Sequence, residues 1–179
     1  MLQLVTPDPT TPAARLPAGL MRATLAAQQD DDQAAHRMRL GHLAEALALR
    51  LCLDGETARL LRLAAPLHDV GEPAGAGTLA ADIALNLRER WDGSGYPQGL
   101  RGEAIPLPAR IVAVVDCFDT LTQRRRYRPA RADDLALAML AEQAGSAFDP
   151  AIVATFVAHA AEMIALRDHV DASRPGAPV

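Results

Sequence analysis

The sequence predicts an all-α protein, and three observations carry that reading. Aromatic residues make up 3% of a chain that is 50% hydrophobic. A core must therefore be built from Leu, Ala, Val and Ile, which suits packed helices better than a β-sandwich rich in aromatic and β-branched residues. The apolar residues recur at helical spacing, and clusters of Gly and Pro separate the periodic stretches. At 179 residues with 22% charged, the expected organisation is one compact soluble domain with a tail.

Taken in order, residues 1–25 read as a tail or linker running into the first helix, because Pro7, Pro9, Pro12 and Pro17 remove backbone donors. A domain is expected over residues 26–170. His36, Leu40, Leu43, Leu47 and Leu51 share one face of a first long helix. Asp54 is placed to cap a second helix from about Gly55, with Leu60, Leu63, Ala64 and Leu67 inward. Gly71, Pro73, Gly75 and Gly77 then break the chain. A third helix is expected from about residue 79 to 90. Residues 91–102 hold four glycines and a proline, too many for regular structure. A fourth helix starts near Pro106 or Pro108, where proline is tolerated in the first turn, and continues through Val115 and Phe118. A fifth covers 132–144. Asp149-Pro150 supplies an N-cap and a first-turn proline for a sixth, reaching about residue 168. Residues 171–179 read as a frayed C-terminus, so about six helices are expected.

The net charge is −4 with pI near 5.7, which leaves no overall basic field for DNA. All 18 basic residues are Arg, so lysine chemistry, whether Schiff base or P-loop, is excluded. Cys52 and Cys117 lie in apolar runs and read as buried free thiols without a disulfide framework. No stretch reaches the length of a membrane span, and the N-terminus lacks a basic region followed by an apolar block. A cytoplasmic protein without membrane contact is the expectation.

Five histidines are present, and a single His on an apolar helix face is more often a hydrogen-bonded core residue than a ligand. Their grouping with acids changes the reading. His36 follows Asp32 by four residues, on the same face. His68 and Asp69 are adjacent at a helix end, just before the glycine break. Asp116 interrupts an apolar stretch, where an unpaired carboxylate is costly. One arrangement answers all of this: His36, His68, Asp69 and Asp116 meet around a cation. Two imidazoles and two carboxylates suit Fe, Mn, Zn or Ni.

The order His36, His68-Asp69, Asp116 resembles the signature of the HD superfamily of metal-dependent phosphohydrolases. Glu89-Arg90-Trp91-Asp92-Gly93-Ser94-Gly95-Tyr96-Pro97 resembles the second signature of the HD-GYP subfamily, as do the residues around it, 99–106, 110–122, Tyr127-Arg128 and 148–150. The likeness covers about residues 30 to 160. It implies an HD-domain-like helical bundle that hydrolyses cyclic di-GMP or a related phosphodiester with a divalent metal, often Fe or Mn. It assigns His36, His68, Asp69 and Asp116 as ligands and aligns Asp32 with an acidic ligand of a second metal. Asp69 and His68 are the catalytic pair, with Asp69 orienting the attacking water. Arg88 and Arg126 are candidates for contacting substrate phosphate. Asp92, Gly93, Gly95, Tyr96 and Pro97 are candidates for binding partner proteins such as GGDEF-domain cyclases. A second copy of the chain is a further candidate partner, over apolar surface left by a missing helix.

The chain also departs from that pattern. Where the subfamily has two histidines before the Glu, this sequence has Leu87 and Arg88; where it has a lysine after the His-Asp motif, this one has Glu72. The stretch from Pro73 to Asn86 is several tens of residues shorter than the family's. One metal ion is therefore expected rather than two. A catalytically inactive signalling module that binds partners through the Gly-Tyr-Pro loop stays beside the phosphodiesterase reading.

Overall fold

The structure, a computed structural model, describes residues 31–68, 78–123 and 129–173, with Asp31 and Asp32 described by their backbone. Seven α-helices occur among them. They are α1 (Asp31–Arg50), α2 (Gly55–Ala64), α3 (Leu79–Asn86), α4 (Leu107–Thr122), α5 (Asp133–Glu142), α6 (Pro150–Ala158) and α7 (Ala160–Ala172). Short 3₁₀ turns cover Ala65–Leu67 and Gly102–Ala104. The described residues contain no strand, only one isolated bridge between Ala144 and Phe148 in the turn from α5 to α6. The fold is all-α, as expected.

Helix α4 is the axis of the bundle. Ile111, Val112, Val114, Val115 and Phe118 are all fully buried, which is the pattern of a helix surrounded by others. It packs against α1, α3, α5 and α6, and its Phe118 ring meets Phe156 of α6 at 5.0 Å. Helix α1 presents Leu40, Leu43 and Leu47, fully buried, to the same core and packs against α2, α4 and α7. Gly41 lets α1 and α2 approach closely, since a Cβ there would lie 2.6 Å from the Arg62 carbonyl oxygen. The two anticipated caps are present. Asp54 accepts from the amides of Glu56 and Thr57, and Asp149 from those of Ala151 and Ile152.

Several expectations are corrected. The inward stripe of α2 is Ala58, Leu61 and Ala64; Ala64 and Leu67 are buried as expected, whereas Leu60 is exposed and Leu63 half-buried. Helix α3 stops at Asn86 rather than near 90, because Glu89 turns away to hold the following loop. The expected sixth helix is two, α6 and α7, bent by 74°. At the break His159 leaves helical geometry, with φ −112° and ψ 21°, and its ring Nδ1 lies 3.0 Å from the Thr155 carbonyl. No single described helix is long and apolar enough to cross a membrane.

Cys52 is exposed and Cys117 half-buried, not the buried thiols expected. Cys52 sits at φ 63°, just past the end of α1. The next amide, that of Leu53, bonds back to the Ala48 carbonyl, so Cys52 holds the left-handed helix-terminating position and its side chain faces outward.

Candidate metal centre

The packing of α1 on α4 sets two pairs of polar residues at matching three-residue spacing: His36 and Arg39 on one helix, Asp116 and Asp119 on the other. The His36 imidazole lies between the two acids. Its Nδ1 is 2.7 Å from Asp119 Oδ2, and its Nε2 is 3.4 Å from Asp116 Oδ1. His68 arrives from the 3₁₀ turn after α2. Its Nδ1 is 2.8 Å from the Ala65 carbonyl, which can only accept, so Nδ1 carries the proton and Nε2 is the lone-pair nitrogen. The two imidazoles stand edge to face, centroids 5.7 Å apart.

One donor atom from each of His36, His68 and Asp116 lies within 4.8 Å of the others. Three atoms bound to one ion at about 2.0–2.2 Å cannot all lie more than about 3.8 Å apart, so side chains separated by up to 4.8 Å would close by up to about 1 Å to share one. In both histidines the second ring nitrogen is held by an acceptor, the arrangement that fixes a ligand's tautomer.

Asp119 is the residue sequence reasoning missed. The cost of burying an acid points in the sequence to Asp116, yet the Asp116 side chain is 31% exposed and that of Asp119 1%. Asp119 is satisfied on all sides: Arg39 donates to it through Nε at 2.6 Å and Nη2 at 3.0 Å, and His36 through Nδ1. Burial pushes its carboxyl up; the hydrogen bonds and charge of His36 and Arg39 outweigh this and hold it below its ordinary value. The third Arg39 nitrogen donates to Asp171 of α7 at 2.7 Å. The result is a ladder running Asp116, His36, Asp119, Arg39, Asp171. With neutral imidazole it holds three carboxylates against one guanidinium, and a divalent cation at the Asp116 end would balance it. The available signal was spacing: Asp119 and Arg39 each follow a proposed ligand by three residues on the same helix.

The remaining site expectations fall elsewhere. The Asp32 side chain, Asp69 and Arg126 lie outside the described residues. Arg88 is exposed and engaged by Tyr96, donating to its hydroxyl at 2.7 Å with the guanidinium 5.8 Å from the ring centroid.

In the loop from 88 to 102, Glu89 is 5% exposed and accepts from the amides of Gln98 at 2.6 Å and Leu100 at 3.0 Å. Asp92 accepts from the Ser94 hydroxyl and amide, which hold its carboxyl below the ordinary range. The Trp91 and Asp92 amides bond to the carbonyls of Ala147 and Ser146, fastening the loop to the turn before α6. Gly95 lies against the backbone of Glu89 and Arg90, and a Cβ there would come within 2.3 Å of the Arg90 nitrogen. Tyr96 and Pro97, joined by a cis peptide, are exposed at the tip.

A family model described as the HD domain matches residues 78–152, which include the loop and Asp116. The cyclic di-GMP phosphodiesterase response regulator of Xanthomonas campestris pv. campestris is 40% identical over 161 residues, 70% of this chain and 43% of that protein. A cyclic di-GMP phosphodiesterase of Vibrio cholerae is 33% identical over 196 residues, covering 82% and 40%. A 3′3′-cGAMP-specific phosphodiesterase of the same organism is 31% identical over 169 residues, covering 74% and 32%. The chain thus spans less than half the length of these relatives. The first alignment spans 161 positions but uses only 70% of this chain, so several tens of its positions have no counterpart here. Among solved structures, a Vibrio cholerae cyclic GMP-AMP phosphodiesterase superposes with TM-score 0.65 at 19% identity, covering 86% of this chain and 50% of that one.

Proposed function

The chain carries an HD-GYP-type domain, and on that premise we propose that it is a metal-dependent phosphohydrolase acting on cyclic di-GMP or a related cyclic dinucleotide. The convergence of His36, His68 and Asp116 within 4.8 Å supports this reading. It suits one ion, Fe or Mn among the candidates, rather than a pair. An ion held there would supply Lewis acidity toward a phosphoryl oxygen.

The chain's own residues do the rest. Asp119 and the Ala65 carbonyl keep His36 and His68 in the tautomer that presents Nε2. Asp116 brings negative charge, half-exposed and reachable by solvent and substrate. Asp69 is assigned to orient the attacking water. In hydrolysis that water's oxygen bonds to phosphorus, one ring P–O bond breaks, and the departing 3′ oxygen takes up a proton, leaving a linear dinucleotide.

The test is direct. The purified chain is stripped of metal, reloaded with Mn²⁺ or Fe²⁺, and assayed for bound ion and for conversion of cyclic di-GMP to the linear product. Metal-dependent turnover that Asp116→Ala and Asp69→Ala each abolish is the expected result. Stoichiometric metal without turnover would overturn the hydrolase reading.

That second outcome would favour the alternative, a signalling module without catalysis. The observation behind it is the loop: Leu87 and Arg88 stand where the subfamily has histidines, and Tyr96 is 56% exposed at the tip. Aromatic residues so displayed are enriched in binding hot spots. Capture of a GGDEF domain by the chain, lost on Tyr96→Ala, would support this reading.

A further inference from the structure

The ladder that begins at the metal-facing acid ends on the last helix. Arg39 is 4% exposed, and its guanidinium bridges Asp119 through two nitrogens and Asp171 through the third. Asp119 in turn receives the Nδ1 proton of His36 at 2.7 Å. A guanidinium is a rigid planar fork, so fixing one nitrogen fixes the direction of the others. Asp171 lies 132 residues from Arg39 in sequence and in the last turn of α7. It makes no direct contact with His36 among the hydrogen bonds and ion pairs of the described residues.

We propose that Asp171 is a positioning residue for His36, acting through Arg39 and Asp119, so that docking of the C-terminal helix holds the imidazole in its ligating tautomer. This rests on the metal-site reading only for its consequence; the orientation of the imidazole exists without an ion. Loss of Asp171 releases the outer arm of Arg39, loosens its fork on Asp119, and weakens the acceptor that keeps the proton on Nδ1.

The control is built into the same helix. Glu162, also on α7, forms an exposed bidentate pair with Arg50 of α1 at 2.8 Å for each bond. It fastens α7 to α1 but touches nothing in the ladder. Glu162→Ala therefore reports the effect of loosening the helix alone.

The experiment uses the full chain. Nitrogen-15 NMR of the imidazole ring of His36, in metal-free protein, reads which ring nitrogen carries the proton. Titration with Co²⁺ or Mn²⁺ reads affinity. Asp171→Ala is expected to lower the Nδ1–H population of His36 and to weaken metal binding by about 10-fold, the low end of what loss of an outer partner costs. Asp171→Glu should restore part of both, and Glu162→Ala should change neither. If Asp171→Ala fails to fold, Asp171→Asn, which keeps the shape and removes the charge, is read in the same way. A wild-type tautomer population and wild-type affinity in the Asp171 variants would overturn the proposal. If the wild-type chain binds no ion but the tautomer still shifts, the positioning role stands and the metal reading falls.

Discussion

Two regions carry the residues by which the chain resembles its relatives, and they use polar side chains in opposite ways. Where α1 meets α4, His36, Asp116 and His68 turn their donor atoms toward a shared point, while Asp119 and Arg39 hold them from behind. In the loop from 88 to 102, Glu89 and Asp92 turn onto the loop's own amides and hydroxyl. The first region brings donor atoms from separate elements within 4.8 Å of one another, and the second turns its carboxylates onto groups of its own loop. A motif residue can thus serve by making chemistry or by making shape, and only the direction its lone pairs face tells the two apart.

The largest effect that tests this contrast is expected at Asp119. Asp119→Asn removes the charge that faces a buried guanidinium, and breaking one side of a buried pair costs about 3–5 kcal/mol. Urea melts near neutral pH measure this. The same residue carries a pH signature. Its folded-state pKa lies below the ordinary 3.8, so its contribution is fully present above that value and is lost as pH falls through the lower, folded value. Wild type should therefore lose stability steeply below pH 3.8, and Asp119→Asn should flatten that limb. Asp92 is also held below 3.8, but it lies at the surface and is screened by solvent. Asp92→Asn should leave the acid limb nearly unchanged, and equal flattening by both variants would erase the distinction between the regions.

Glu89 comes next. Its carboxylate satisfies two backbone amides while only 5% exposed, so Glu89→Ala should cost about 2–3 kcal/mol by leaving them without an acceptor. Metal affinity should stay at the wild-type value. A drop in Mn²⁺ binding on Glu89→Ala, read by calorimetry, would mean that the loop belongs to the metal centre after all.

These two acids also show what the sequence could and could not reveal. The all-α class and the caps at Asp54 and Asp149 follow from local rules, periodicity and side-chain reach to a nearby amide; the approach of His36, His68 and Asp116 is legible in the order of those residues along the chain and not in the cost of burying Asp116, whose side chain is 31% exposed. Asp119 was not separated from Asp116 because the two share a helix and an apolar setting. Which of them is buried depends on how α1 is rotated, a tertiary fact. The break at His159 leaves no mark on the apolar pattern either, so the sequence reads α6 and α7 as one helix. Asp171 read as part of a frayed end, yet an ion pair formed across 132 residues places it in the last turn of α7.

The smallest effect is expected at Arg88, where the two regions can be compared through substrate rather than stability. Its bond to the Tyr96 hydroxyl and its position over the ring are exposed, so Arg88→Ala should cost less than about 1 kcal/mol and leave metal binding intact. If Arg88 only braces the loop tip, the KM and kcat for cyclic di-GMP should both hold. If the guanidinium leaves Tyr96 to meet a phosphate, the KM should rise while kcat is retained, because such a contact contributes equally to ground-state and transition-state binding. Tyr96→Phe separates the two. It removes the hydroxyl that holds Arg88 aside, so a phosphate-binding arginine would be released and the KM should fall, whereas a bracing arginine would leave it where it was.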